Sequence, residues 1–483
     1  MNKRLVLKLL GGLLALEAIL MLPAVLVAVI YGENILCFLY AMLLMLAIGA
    51  PVWFLVKPGV KNLNARDGLA VAGLSWLLMS FFGCLPFVFS RSIPSVIDAF
   101  FETVSGFTTT GATILEKVEG LPKGILFWRS FTHWIGGMGV LVLTLAILPK
   151  LTGRTSHLAK AETPGPTFSK LAPRMGDTAK ILYMIYGALT VLEFVVLIIC
   201  GMPVYDSLIH AVSTAGTGGF SCMDASIGAY SPLLQWVIAV FMMLFGVNFA
   251  IYFHMIRKEW TGITKNEELW VYLALIVLGT FGIALSKLPT AANFGDSLRQ
   301  GFFNVNTVMS TTGFGICDIS VWPVFPLAIM AVLMVGGACA GSTAGGLKLS
   351  RIVMLFKSGV REVRRMISPR KVSVVRMEGK AVEESTLGTL GLYLAIYVVI
   401  LLLGSLIASL DPMEGNNLSV SFTSTLSCIS NVGPFMGSAA GASGCFASFS
   451  APVKLLFSII MLAGRLEFFP MLALLSPTLW KKY

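Results

Sequence analysis

Thr108-Thr109-Thr110-Gly111-Ala112-Thr113 sits between two apolar runs, where hydrophobic packing has no use for a row of hydroxyls. Three other stretches match it: Thr217-Gly218-Gly219-Phe220-Ser221, Thr311-Thr312-Gly313-Phe314-Gly315 and Asn431-Val432-Gly433-Pro434-Phe435. Counting back from Gly111, Gly219, Gly313 and Gly433, the ninth residue is Glu102, His210, Asn304 or Ser424. The sixth is Ser105, Ser213, Thr307 or Ser427, and the second is Thr109, Thr217, Thr311 or Asn431. Eleven back stand Phe100, Leu208, Phe302 and Phe422. Polar, small and apolar character recurs at matched offsets, so one segment is present four times. Its chemistry resides in the backbone. Glycine reaches dihedral angles that a Cβ forbids, and four such strands can turn carbonyls toward one axis. A ring of carbonyls replaces the hydration shell of an alkali cation.

Such strands need helices to carry them. Of the 483 residues, 56% are hydrophobic and 12% charged, and the mean hydropathy is +0.85. Soluble domains carry about 25% charged residues, so the chain reads as an integral membrane protein, with runs long enough to span a bilayer. The run Leu9–Ile30 is too long for a signal-peptide core and reads as a retained span. The formal charge of +11 is distributed in alternate loops: Lys57/Lys61/Arg66, Lys150 to Lys180, Arg257/Lys258/Lys265, Lys348 to Lys380, and Lys481/Lys482. The intervening loops hold Glu33, Glu116, Glu119, Asp206, Asp224, Asp318, Asp411 and Glu414. This positive-inside asymmetry puts both termini in the cytoplasm and argues against nucleic acid as the partner of the basic residues.

The same code sets the organisation. A leading pair of spans occupies 1–60, and four units follow at 61–150, 151–258, 259–370 and 371–483. Each unit opens with an apolar helix (Gly68–Ser90, Ile181–Gly201, Glu268–Ser286, Gly388–Leu410) and closes with another (Ile125–Leu148, Pro232–Ile256, Trp322–Phe356, Pro452–Leu475). Both ends of a unit are then cytoplasmic, so its middle segment enters from outside and returns as a short helix and an extended strand. Asp98, Asp206, Asp296 and Asn416 or Asn417 are expected to cap the starts of the short helices. Non-helical backbone at membrane depth must line a watery cavity or be buried in protein. The inward-pointing helix C-terminus carries partial negative charge, which favours a cation.

Two features lie apart from these strands. Gly336, Gly337, Gly341, Gly345 and Gly346, with Ser342 and Thr343 between them, interrupt the third closing helix. Each glycine costs a helix about 0.8–1 kcal/mol relative to alanine, so residues 336–346 read as a loop lining the cavity. Arg465 is expected midway along the fourth closing helix. A charge at that depth costs roughly 2.5–3.5 kcal/mol, so it faces the cavity or an acidic partner, and Glu467 points elsewhere on a helix. Cys222 and Cys317 are candidates for pairing, and the eight cysteines hold no metal-ligand spacing. The four histidines are scattered and no carboxylate cluster accompanies them, so the chain is not expected to be an enzyme. No phosphate-binding glycine motif appears, so no nucleotide is expected to bind this chain.

The four units, with these strands and the segments Trp134-Ile135-Gly136-Gly137-Met138-Gly139 and Gly336–Lys348, resemble the Trk/Ktr/HKT superfamily of potassium transporters, most like its bacterial TrkH/TrkG membrane subunits. The resemblance covers essentially the whole chain. It implies an all-α polytopic membrane protein, with four helix–pore loop–helix repeats around a central pore and a leading transmembrane pair. Thr110, Gly111, Gly218, Gly219, Thr312, Gly313, Val432 and Gly433 then form a potassium filter through their backbones, supported by Thr109, Thr217, Thr311 and Asn431. Glycine rather than serine at Gly111 favours potassium over sodium in this superfamily, and Asn431-Val432-Gly433-Pro434 departs most from the threonine-rich pattern. The glycine-rich segment corresponds to an intramembrane loop that occludes the pore, with Arg465 as a positive barrier beside it. The implied setting is the bacterial inner membrane, as a homodimer regulated by a cytoplasmic ring of nucleotide-binding TrkA subunits. The competing class is a secondary transporter that couples potassium or sodium to another ion. It calls for inverted repeats and midplane acids, whereas these repeats share one orientation.

Overall fold

The computed structural model describes residues 1–57, 64–139, 175–289, 293–319, 321–370, 373–436 and 445–481. Among them, six helices are long and apolar enough to cross a membrane: Lys3–Ile30, Leu36–Leu55, Ala65–Phe89, Asp177–Ile199, Glu267–Lys287 and Glu384–Ala408. Their outward faces carry exposed leucine, valine and phenylalanine, such as Leu278, Leu406 and Phe54, as lipid-facing surfaces must. Strand is confined, among the described residues, to a hairpin of Arg376–Met377 with Lys380–Ala381.

The leading pair packs through small residues. A Cβ on Gly49 would lie 2.7 Å from the carbonyl oxygen of Gly11, and one on Gly11 would lie 2.6 Å from Val52. Such contacts let two membrane helices approach by their backbones.

Four short helices descend between the spans: Val96–Phe107, Val204–Gly216, Phe294–Met309 and Leu418–Ser430. Their starts differ from expectation at three of four places. Ser95 and Asn293 are the capping side chains of the first and third, and Pro203 precedes the second. Asp98, Asp206 and Asp296 instead occupy the first turn, where their charge favours the helix dipole. Their carboxylates are used laterally: Asp98 accepts from Lys454 (2.8 Å), Asp206 from Tyr230 (2.9 Å), and Asp296 pairs with Arg299. Only Asn417, in the fourth, caps as expected, accepting from the Val420 N–H at 2.9 Å.

The closing helices are all interrupted or stopped short, not only the third. Lys123–Gly137 ends before Gly139 (φ +83°), and the rest of the helix expected to reach Leu148, with the basic cluster after it, lies outside the described residues. Pro232–Phe245 and Phe249–Ile256 meet at 89°. Val324–Gly336 and Leu349–Ile367 flank the glycine-rich loop, as expected. Ala451–Arg465 stops at Arg465, and Glu467 and Phe468 take positive φ before Phe469–Leu475 resumes. Arg465 is therefore a helix terminus and not a mid-helix residue. Asn248 caps the second half of the bent pair through the Ala250 N–H (2.9 Å), a role that needs the break and was invisible in a run read as one span.

Gly49→Ile inserts four carbons where backbone already meets backbone. Overpacking of this kind costs about 1–3 kcal/mol. The variant is expected to melt earlier in detergent while ion competition in proteoliposomes stays at the wild-type value, because the leading pair lies outside the four repeats.

Candidate functional site

Each short helix ends in the same way. The N–H groups of Thr110, Gly218, Thr312 and Val432 donate to the carbonyls five residues back, on Ser105, Ser213, Thr307 and Ser427, at 2.8–3.0 Å. This is the Schellman termination, whose penultimate residue is left-handed and usually glycine. Here that residue is Thr109, Thr217, Thr311 or Asn431, with φ of 54–57°. A β-branched residue at positive φ is an outlier that costs on the order of 1–3 kcal/mol and persists only where its surroundings enforce it. Asn431, the departure from the threonine pattern, is the residue best suited to that conformation.

Two residues on, Gly111, Gly219, Gly313 and Gly433 also have positive φ, from 78° to 103°. A Cβ on Gly111 would lie 1.9 Å from the carbonyl oxygen of Gly218, one on Gly219 2.0 Å from that of Thr312, one on Gly313 2.2 Å from that of Val432, and one on Gly433 2.5 Å from that of Thr110. The contacts run in chain order and close on themselves. Four carbonyls, each from the residue before a glycine, thus form a ring in which every member lies against the glycine of the neighbouring strand.

The strands are braced from behind by different chemistry in each repeat. In the first, buried Glu102 accepts from Arg129 (2.6 Å), from the Thr113 hydroxyl (2.9 Å) and from the Ile114 N–H (2.9 Å). Arg129 also donates to the Ser221 carbonyl (3.2 Å) and lies over the Phe220 ring, joining strand one to strand two. In the second, the His210 ring bonds the Ser221 hydroxyl at 3.0 Å. In the third, the Thr307 hydroxyl donates to the Phe314 carbonyl, and in the fourth the Thr423 hydroxyl donates to the Met436 carbonyl, both at 2.9 Å. The Asn431 amide donates to the Thr110 hydroxyl (2.9 Å) and to the Met461 carbonyl (3.0 Å), tying the fourth strand to the first. His133 packs its ring where a Gly218 side chain would stand and donates to the Gly106 carbonyl at 2.8 Å.

On one side of the ring a cavity of about 290 Å³ reaches Gly111, Gly219 and Gly313 and is lined by Glu116, Asp224 and Asp318. Cys222 and Cys317 are both free thiols. Burial pushes the Cys222 thiol up to about 12, and it donates to Asp206 instead of pairing.

On the other side lies the glycine-rich loop. Gly337, Gly341 and Gly346 have positive φ. The Gly345 N–H donates to the Thr311 hydroxyl (2.7 Å), and a Cβ on Gly345 would strike the Ser430 carbonyl. The Ser342 hydroxyl turns back to Cys339, and the Thr343 hydroxyl reaches the Phe245 carbonyl. Arg465 donates to the carbonyls of Thr343, Gly136 and Gly137, each at 2.7 Å, joining the loop to the ends of the first and fourth closing helices. Glu467 pairs with Arg351, whose guanidinium also lies over Tyr393.

The architecture has relatives. The family TrkH, described as cation transport proteins, matches residues 35–268 and 268–482. The chain belongs to the TrkH family. The Trk system potassium uptake protein TrkH of Salmonella typhimurium is 35% identical over the whole of both chains. The corresponding TrkG of Escherichia coli is 32% identical, covering 98% of this chain and 97% of its own. The crystal structure of the potassium transporter TrkH from Vibrio parahaemolyticus superposes with a TM-score of 0.87 at 32% identity, covering all of both chains.

Within this TrkH-family chain, the twelve residues read at the four strands do converge, and the loop residues and Arg465 lie together beyond the ring. Sequence reading missed the Arg129–Glu102 pair, although Glu102 stood at a repeat offset and a buried glutamate in a membrane helix calls for a cation. It also left His133 and Asn248 without a role. Glu102→Ala removes one partner of a buried pair, which costs about 3–5 kcal/mol because the other charge is left uncompensated. Glu102→Gln keeps one acceptor oxygen, which serves Arg129 and Thr113 where Oε1 stood and gives up the Ile114 N–H, and is expected to lose less. Thermal melting of both purified variants checks the order.

Proposed function

We propose that this chain is the membrane subunit of a potassium uptake system in a bacterial inner membrane, conducting potassium through the ring formed by the carbonyls of Thr110, Gly218, Thr312 and Val432. The single observation that carries the reading is the closed cycle of carbonyl-on-glycine contacts. Carbonyl oxygens held by backbone geometry present partial negative charge without a net charge, which suits a weakly hydrated alkali cation that must enter and leave. Potassium is the substrate named for the relatives. Thr109, Thr217, Thr311 and Asn431 hold the strands, and the repeats divide at 61–150, 151–258, 259–370 and 371–483. Acidic Glu116, Asp224 and Asp318 concentrate cations at the outer mouth.

In this reading the loop 336–346, with Gly336, Gly337, Gly341, Ser342, Thr343, Gly345 and Gly346, closes the inner mouth, and Arg465 adds a fixed positive charge beside it. Both termini are cytoplasmic. Opening is controlled by a nucleotide-binding ring of the TrkA type on a homodimer of this chain, which itself binds no nucleotide and catalyses no reaction.

Radiolabelled rubidium uptake into proteoliposomes, with and without competing sodium, tests the assignment. Gly111→Ser places a Cβ where the Gly218 carbonyl stands, so the ring must open at that corner. The potassium-over-sodium preference is expected to fall about tenfold, equivalent to about 1.4 kcal/mol, in a protein that still folds. Unchanged competition between the two ions sinks the filter assignment.

Arg465→Ala removes a charge whose repulsion of cations is stronger in a low-dielectric cavity than in water, and it releases the Thr343 carbonyl. Throughput is expected to rise, and to rise less for Arg465→Lys. A structural ion pair predicts the opposite: lower flux, with about 3–5 kcal/mol lost in melting.

A further inference from the structure

The glycine-rich loop leaves one helix at Gly336 and enters the next at Leu349, so its two ends form a neck. Backbone bonds from Leu347 to Val335 (3.3 Å) and from Leu349 to Ala338 (3.1 Å) hold the neck to itself. A single atom from another helix holds both sides of it. Oε1 of Glu268 accepts the Ala340 N–H at 2.7 Å and the Ser350 N–H at 2.8 Å. Glu268 is 4% exposed and lies one residue into the span Glu267–Lys287. Ser350 is in the first turn of Leu349–Ile367, where N–H groups lack intrahelical acceptors. Its neighbour Lys348, also buried, donates to the Ala344 carbonyl within the loop. Beside Ala340 the outgoing arm also meets the bent pair: the Cys339 N–H donates to the Gly246 carbonyl (3.1 Å), and the Gly341 carbonyl accepts from the Phe249 N–H (3.0 Å). Contacts to Thr311, Phe245 and Arg465 are made farther along the loop.

We propose that Glu268 is the latch of the loop: a positioning residue whose one carboxylate oxygen fastens the outgoing and returning arms to the third repeat's opening helix and so keeps the loop across the pore. This rests on the proposed pore-closing role of the loop. Because the two N–H groups share one acceptor, a movement of the Glu268 carboxylate releases both arms together. The latch depends on reach and on an acceptor oxygen. Charge is secondary to it.

That dependence separates variants. Glu268→Gln keeps an acceptor oxygen at the same distance, whereas Glu268→Asp keeps the charge and draws the oxygen back by one methylene. Cys339 lies in the loop next to Ala340 and is fully buried, so its alkylation by a small thiol reagent, followed peptide by peptide in the mass spectrum, reports release of the loop directly. In proteoliposomes, Glu268→Asp and Glu268→Ala are expected to label at Cys339 on the order of tenfold faster than wild type, as loss of two backbone hydrogen bonds to the side chain implies. Basal rubidium flux is expected to rise with the labelling, and Glu268→Gln to behave as wild type. A role in balancing the charge of Lys348 gives the reverse order, with Asp silent and Gln released, and overturns the proposal. So does unchanged Cys339 labelling in both Asp and Gln variants, the pair that decides the matter if the alanine variant does not fold. Faster labelling without added flux leaves the latch standing and removes the loop from the gate.

Discussion

Everything at the centre of this protein follows from the exclusion of four Cβ atoms. A carbonyl oxygen approaches a neighbouring backbone to within about 2 Å of a would-be side chain only where there is none, and that happens at Gly111, Gly219, Gly313 and Gly433 in turn. Closing the cycle requires the chain to leave each short helix through a left-handed residue, and at three of the four places that residue is a threonine. The strain is local and repeated. It is offset by the Schellman bond at each helix end and by rigid packing around the strands, so the ring belongs to the fold as a whole and not to any one repeat.

The pseudo-symmetry is strict at the backbone and relaxed behind it. The four strands share dihedral angles and hydrogen-bond offsets, yet a glutamate–arginine pair, a histidine and two threonines brace them. This is what the physics requires. The position of a carbonyl is fixed by φ and ψ, which tolerate little change, whereas any group that reaches forward from the helix to the strand exit can hold it in place. The braces Glu102, His210, Thr307 and Thr423 therefore differ in type and offset, and that divergence says nothing against a common role for the strands they hold.

How much of this the sequence exposed follows from the same distinction. Glycines at fixed offsets from polar residues in apolar surroundings carry their own signal, so the strands, the four units and the glycine-rich loop were legible. Left-handed threonines were not, because propensity argues against them, and tertiary packing overrides it. The breaks after Gly137, at Gly246-Val247-Asn248 and at Leu466–Phe468 were hidden because each lies in a largely apolar run of spanning length, where two or three non-helical residues leave hydropathy unchanged. Arg465 was consequently placed mid-helix. The capping aspartates failed for a simpler reason: three residues earlier Ser95 or Asn293 was the better cap for the first and third helices and Pro203 opened the second, and the aspartate's charge was free to bind a lysine, a tyrosine or an arginine elsewhere.

The breaks also explain why a loop can occupy the space beyond the ring at all. A closing helix that ran straight would press its side chains into the ends of the short helices, where Gly136 already meets the Phe107 carbonyl and Gly464 the Ile429 carbonyl. Ending the helix there frees terminal carbonyls, which need donors. In the first repeat those of Gly136 and Gly137 receive Arg465, which reaches Thr343 of the loop with the same guanidinium. In the second, the Gly246 carbonyl receives the N–H of Cys339, the residue that begins the loop's inward course. The loop is thus built from the unmet hydrogen bonds of its neighbours' broken helices. A ring that forces helices to stop at its level generates, one layer further in, the polar groups that position the segment lying across it.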